Sequence, residues 1–211
     1  MELMQKATSV AMLAFVLSSM LAMGLGLTVS QIITPLRNAR LVVLSLLANF
    51  VLMPLAAVAL AALLRLDQPL GVGLLLLGTA AGAPFLPKLA QIAKGNLAFA
   101  VGLMVLLTGI SINPAKIARS LFLLMLLPLA GALAVKARFA VAAARTKPVL
   151  DRVSNLSLIL LVLLITAANI NNVLAVFGTH GILAGLLFIA VGFGIGWLLG
   201  GPGMDTRRVL A

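Results

Sequence analysis

Chemistry in this chain would have to come from one short run of residues, "LLGTAAGAPFLPKLAQIAKGN", positions 76–96. An apolar stretch is interrupted there by Gly82, Pro84 and Pro87, and the polar side chains of Lys88 and Gln91 follow at once. One amide stands further upstream, Asn49 in "ANFVLMP". Proline removes a backbone donor and clashes with the turn before it. In hydrocarbon each unpaired N–H or C=O costs several kcal/mol, so broken helix survives only against protein or a water-filled cavity. Spacing alone leaves two readings open. Either the segment splits into half-helices, about residues 70–82 and 87–94, whose ends and local dipoles hold ions or anions at mid-membrane, or it is a proline kink healed by neighbouring helices. Lys88 has two readings as well, attracting an anion or snorkelling to an interface.

Other chemistries find no support. There is no cysteine, which excludes disulfides, thiolate metal sites and cysteine nucleophiles. The single His180 has no acidic or histidine partner nearby in sequence, so no metal site is expected. The acids Glu2, Asp67, Asp151 and Asp205 all fall near the ends of apolar runs, which argues against paired-carboxylate catalysis or a proton relay. "GFGIGWLLG" lacks the strand that a dinucleotide fingerprint requires. No enzyme and no cofactor are expected.

The elements that must position these residues follow from composition. Of 211 residues 63% are hydrophobic and 9% charged, too little polar surface for a domain in water. The chain reads as an all-α polytopic membrane protein forming a single membrane domain over 1–211. A span needs about 20 apolar residues. Candidates are 7–27, 41–64, 70–93 with the Gly/Pro break, 97–112, 121–135, 153–177 and 182–200, giving about seven. The segment "KARFAVAAARTKPVLDR" reads as a loop, and "ITAANINN" as a cavity lining or the interfacial end of its helix. The first span could be a signal peptide, but one lysine beside a glutamate is a poor n-region, and a retained helix is the stronger reading. Gly181, Gly185, Gly192, Gly196 and Gly200 share one face of the last span, as a packing seam would.

The net charge of +11 in a soluble protein would suggest nucleic acid. Here the basic residues lie between apolar runs and aromatic residues are few, so topology explains them better and no nucleic-acid partner is expected. Placing 136–152 in the cytoplasm puts Lys136, Arg138, Arg145, Lys147, Arg152, Arg37, Arg40, Lys94, Arg207 and Arg208 inside. Lys6, Arg65, Lys116 and Arg119 fall outside, with Lys88 uncounted. The expected topology is N-terminus outside and C-terminus cytoplasmic.

The pieces "MGLGLTVS", "ANFVLMP", "GVGLLLLG" and the Gly/Pro break followed by "LAQIAKGNLAFAV" resemble, in order and spacing, the bile acid:sodium symporter family and its broad bacterial branch. A looser similarity continues through "RSLFLLMLLPLAGALAVKARF" and "LLGGPGMDTRRVLA". The resemblance implies an inverted-repeat transporter of about ten helices with a core and a panel domain. It also implies uptake of bile acids or other organic anions coupled to sodium, and residence in the bacterial inner (plasma) membrane. The first span would correspond to the family's second helix. On this basis 7–112 is a partial first repeat and 113–211 a partial second.

Departures from the family pattern bear on sodium. A Ser-Asn pair that supplies sodium ligands aligns with Leu86 and Pro87, and a serine and a threonine on the next helix align with Ala100 and Met104. None of these side chains offers the oxygen that a hard cation needs. A family glutamine aligns with Asn49, still an amide. The second broken helix would fall beyond Ala211, and 97–112 looks shorter than its counterpart.

The expectation is a symporter-like secondary transporter of a small organic anion whose usual sodium positions are not matched. Asn49, Gly82, Pro84, Pro87, Lys88 and Gln91 are the candidate binding residues, and the lipid bilayer and the anion are the partners. The alternative is a truncated or degenerate membrane protein that does not transport, or one part of a split transporter completed by a second chain or copy.

Overall fold

A computed structural model describes residues 2–79, 85–110, 122–177 and 179–199, and among these every regular element is helical. Gly82 and Pro84, and Gly200 of the expected seam, lie outside the described residues. The helices are α1 (Glu2–Gly26), α2 (Val29–Leu36), α3 (Ala39–Leu47), α4 (Met53–Leu63), α5 (Gln68–Thr79), α6 (Phe85–Ile92), α7 (Leu97–Ile110), α8 (Leu127–Arg138), α9 (Ala140–Ala168), α10 (Ile170–Val176) and α11 (Gly181–Leu199). Two π-helical turns, Ala48–Leu52 and Phe122–Leu126, lead into α4 and α8.

Local chemistry accounts for the helix ends. The Thr28 hydroxyl accepts from the Gln31 N–H at 3.3 Å while the Gln31 side chain accepts from the Thr28 N–H at 2.9 Å. This reciprocal pair is a capping box that starts α2. Asn38 and Asn96 cap α3 and α7 by accepting from the N–H groups of Leu41 and Phe99. Helices α4 and α6 each end with a non-glycine residue in the left-handed region, Arg65 (φ 49°) and Lys94 (φ 54°). The bonds Leu66 N–H to Ala61 C=O (3.0 Å) and Gly95 N–H to Ala90 C=O (2.8 Å) close both turns in the Schellman manner.

Both π turns have one cause. Each begins six residues before a proline, Pro54 or Pro128. Proline has no N–H to bond the carbonyl four residues back, so the ladder slips to the next register, as in the Met53 N–H to Ala48 C=O bond. The surrounding sequences, "LMPLAA" and "LLPLAG", are alike.

Four helical stretches are long and apolar enough to cross a membrane: Glu2–Gly26, Ala39–Leu63, Ala140–Ala168 and Gly181–Leu199. The seven expected crossings are not reached by length alone among the described residues. Helix α5 has 12 residues and rises about 18 Å, short of the roughly 30 Å hydrocarbon core. A separate helix, α6, begins at Phe85.

One expectation is corrected outright. The segment 136–152 is not a loop, because helix runs to Arg138 and resumes at Ala140. The run "AVAAAR" is rich in alanine, the best helix former. The Lys147–Asp151 pair, four residues apart at 2.7 Å, supports the same turn. These terms offset Pro148, which sits inside the helix. The "ITAANINN" run lies at a helix end: α9 stops at Asn169, whose side chain donates to the Ile165 carbonyl, and the residues around it are exposed.

The chain divides into two compact units. One comprises Met1–Ile32 and Ile112–Val173, the other Ile33–Ser111 and Leu174–Ala211. In the first, α1 packs along α9 and α8. A Cβ added at Gly24 would lie 2.5 Å from Ala132 Cβ and 2.7 Å from the Leu129 carbonyl oxygen, so helix backbones touch there. In the second, α4 packs on α5 and α11, with Ala57, Leu60, Leu74, Ala184 and Phe188 at the centre. The seam on α11 is partly realised. Gly181 lies close to Leu70 and Gly192 close to Met53, whereas nothing is within 4 Å of where a Cβ would stand on Gly185.

Candidate functional site

The candidate residues that are described all fall in the second unit, on α6 and on the π turn before α4. Helix α6 packs on α7, which also touches α3. Ala90 joins Phe99, Ala100, Leu103 and Leu107 of α7 in a tight apolar cluster, with Leu86, Leu41 and Leu46 against it. The α6–α7 connection is short because Lys94 takes the left-handed turn and Asn96 caps the next helix. Pro87 sits in the first turn of α6, where a missing N–H removes no intrahelical bond.

The polarity of α6 is inverted relative to a helix in water. Lys88 is 3% exposed, while Leu89 and Ile92 are 60% and 66% exposed. The Lys88 ammonium donates to the Gln91 side-chain oxygen at 3.2 Å. A helix that turns its charge inward and its leucine and isoleucine outward has lipid as its solvent, and ionisable groups within such helices face protein or a cavity. Burial argues against the snorkelling reading of Lys88.

The structure therefore brings together Pro87, Lys88 and Gln91. It does not join Asn49 to them by any hydrogen bond among the described residues. The Asn49 amide turns back on its own helix and donates to the Ser45 carbonyl at 2.9 Å, beside the fully buried Ser45 hydroxyl that bonds the Leu41 carbonyl. Sequence reasoning misses the widened turn that carries Asn49. Its signal is Pro54, five residues on. π turns of this kind frequently mark functional sites.

The positions aligned with sodium ligands are filled by packed apolar side chains. Ala100 and Met104 are fully buried, Pro87 is buried, and Leu86 packs on the α7 cluster. Among the described residues no group of three or more His, Asp or Glu side chains is placed to hold a metal.

Helices of this length and apolarity, with a lysine buried in an outwardly apolar helix, define an all-helical integral membrane protein. Residues 12–112, which run from α1 through α7, match the family model described as Sodium Bile acid symporter family. A relative described as the uncharacterized sodium-dependent transporter YocS of Bacillus subtilis (strain 168) is 27% identical over 201 residues, covering 86% of this chain and 60% of the relative. The chain thus spans about 60% of the length of that relative. Over residues 12–112 the chain is therefore similar to the Sodium Bile acid symporter family.

Proposed function

We propose that this chain acts in sodium symporter-like secondary transport of a small organic anion, with Lys88 and Gln91 of α6 at the substrate site and Asn49, Gly82, Pro84 and Pro87 as its further candidates. The observation that carries the reading is the burial of Lys88 to 3% on a helix whose apolar neighbours face outward. An ionisable group kept inside such a helix marks a substrate or ion path by default, and a carboxylate substrate matches an ammonium in charge. The family-model match over residues 12–112 and the sodium-dependent relative support transport as the activity. The alike π turns before Pro54 and Pro128 support reading 7–112 and 113–211 as related repeats. Charge asymmetry supports the inner membrane with the N-terminus outside.

Uptake is expected without sodium coupling, because the side chains of Leu86, Pro87, Ala100 and Met104 carry no oxygen for a hard cation. That observation also favours a second reading, a relative that no longer transports or that works with a second chain or copy. Uptake into proteoliposomes decides between them, using radiolabelled organic anions from a bile acid to a small monocarboxylate, with sodium or potassium as the gradient ion. The transport reading expects uptake that is indifferent to the ion and falls at least tenfold, roughly 1.4 kcal/mol, in Lys88→Met. Absence of uptake under every condition supports the non-transporting reading. Strict sodium dependence would overturn the account of the missing ligands.

A further inference from the structure

A basic groove lies in the first unit, and the transport reading makes no use of it. Arg138 is the last residue of α8 and Arg145 lies near the start of α9. Together with Phe139, Val141 and Thr146 they line a groove of about 630 Å³. A second cavity of about 310 Å³ adjoins it, walled by Leu21, Leu25, Val135, Ala143 and Leu150. Ala142 and Thr146 line both. Two adjoining spaces therefore share a wall, one lined by Arg138 and Arg145 and the other by aliphatic side chains.

The neighbouring lysines are already engaged. The Lys136 ammonium donates to the Gly26 carbonyl at 2.7 Å, at the C-terminal end of α1, and Lys147 pairs with Asp151 at 2.7 Å. Arg138 and Arg145 are both exposed, and neither makes an ion pair among the described residues. Phe139 is 63% and Val141 70% exposed, so the rim of the groove is apolar as well as cationic. At the next helix start Phe139 has no side-chain acceptor for the first N–H groups of α9, which adds donors to the same rim.

We propose that this groove binds an anionic phospholipid. Arg138 and Arg145 take the headgroup phosphate through paired N–H donors, which match phosphate oxygens in geometry. An acyl chain follows the Leu21–Leu25 and Ala143–Leu150 walls. Two uncompensated cations favour a net-negative headgroup over a zwitterionic one. The apolar extension favours a lipid over free phosphate, which would leave those walls unfilled.

The test uses the full chain purified in mild detergent. Native mass spectrometry counts retained phosphatidylglycerol and phosphatidylcholine, and thermal melting is followed with each lipid and with inorganic phosphate. The wild type is expected to retain phosphatidylglycerol roughly tenfold over phosphatidylcholine, given two arginines near the surface. Arg138→Gln/Arg145→Gln is expected to erase that preference, and Ala142→Trp, which blocks the shared wall, to reduce phosphatidylglycerol retention. Arg40→Gln on α3 removes the same kind of charge elsewhere and is expected to keep the preference. Should the double variant fail to fold, the single Arg145→Gln carries the test with a partial loss. Equal retention of the two lipids by the wild type, or an unchanged preference in the arginine variants, overturns the proposal. So does thermal protection by inorganic phosphate that matches the lipid, which would make the groove a free-anion site.

Discussion

Lys88 and three buried serines show how differently polar atoms are treated inside this protein. The Lys88 ammonium has Gln91 within 3.2 Å. Ser18 bonds back to the Ala14 and Phe15 carbonyls. Ser19 and Ser154, at 1% and 0% exposure, have hydroxyls without a hydrogen-bond partner among the described residues. An unsatisfied buried hydroxyl costs about 1–3 kcal/mol, so Ser19→Ala and Ser154→Ala are each expected to raise stability by about 1 kcal/mol, read as a higher melting temperature in detergent. A fall in melting temperature would mean that an ordered water bonds these hydroxyls. Lys88→Met also separates function from structure: its melting temperature is expected to hold or rise as uptake falls, because a charge leaves the interior while the aliphatic bulk stays.

Helix contacts carry the next level of constraint. Gly24 allows α1 to meet α8 backbone to backbone, and there is no flexible side-chain end to move aside, because the obstructing atoms are Ala132 Cβ and the Leu129 carbonyl. Gly24→Ala is therefore expected to destabilise by about 1–3 kcal/mol, seen as a lower melting temperature. Gly192→Ala should be milder, since it meets only the flexible end of the Met53 side chain, its terminal methyl at 3.1 Å and its sulfur at 3.5 Å. Helix starts are legible in sequence wherever a cap is a local matter, as with Thr28 and Gln31 or Asn96. The run 136–152 reads wrongly as a loop because its charges suggest water, whereas its alanines and the Lys147–Asp151 pair stabilise helix regardless of solvent. The arginine groove has no sequence signature. Arg138 and Arg145 are seven residues apart with a helix break at Phe139 between them, and only the turn of the chain sets them on one groove.

At the scale of the molecule, exposed apolar residues are the rule, as in Leu156, Ile159, Leu163, Leu186 and Trp197, which is the pattern of a surface meant for lipid. The two compact units interleave the sequence halves, so packing divides the chain differently from the proposed repeats 7–112 and 113–211. Orientation is testable with unusual ease because the chain has no cysteine. A membrane-impermeant maleimide is expected to label Lys6→Cys from outside intact cells, and Arg40→Cys only after permeabilisation. The opposite labelling would reverse the topology inferred from the positive charges.

Composition by itself determined the solvent. A chain 63% hydrophobic and 9% charged has too little polar surface to face water, whatever its fold. The order of its motifs carried the resemblance to a family, because ordered spacing survives changes at individual positions, and the matched residues 12–112 hold most of those motifs. Which side of α6 turns inward was decided only by tertiary structure. Burial depends on neighbours far off in sequence, and α7, arriving after a left-handed turn at Lys94, covers the α6 face that carries Ala90 and leaves Leu89 and Ile92 outside.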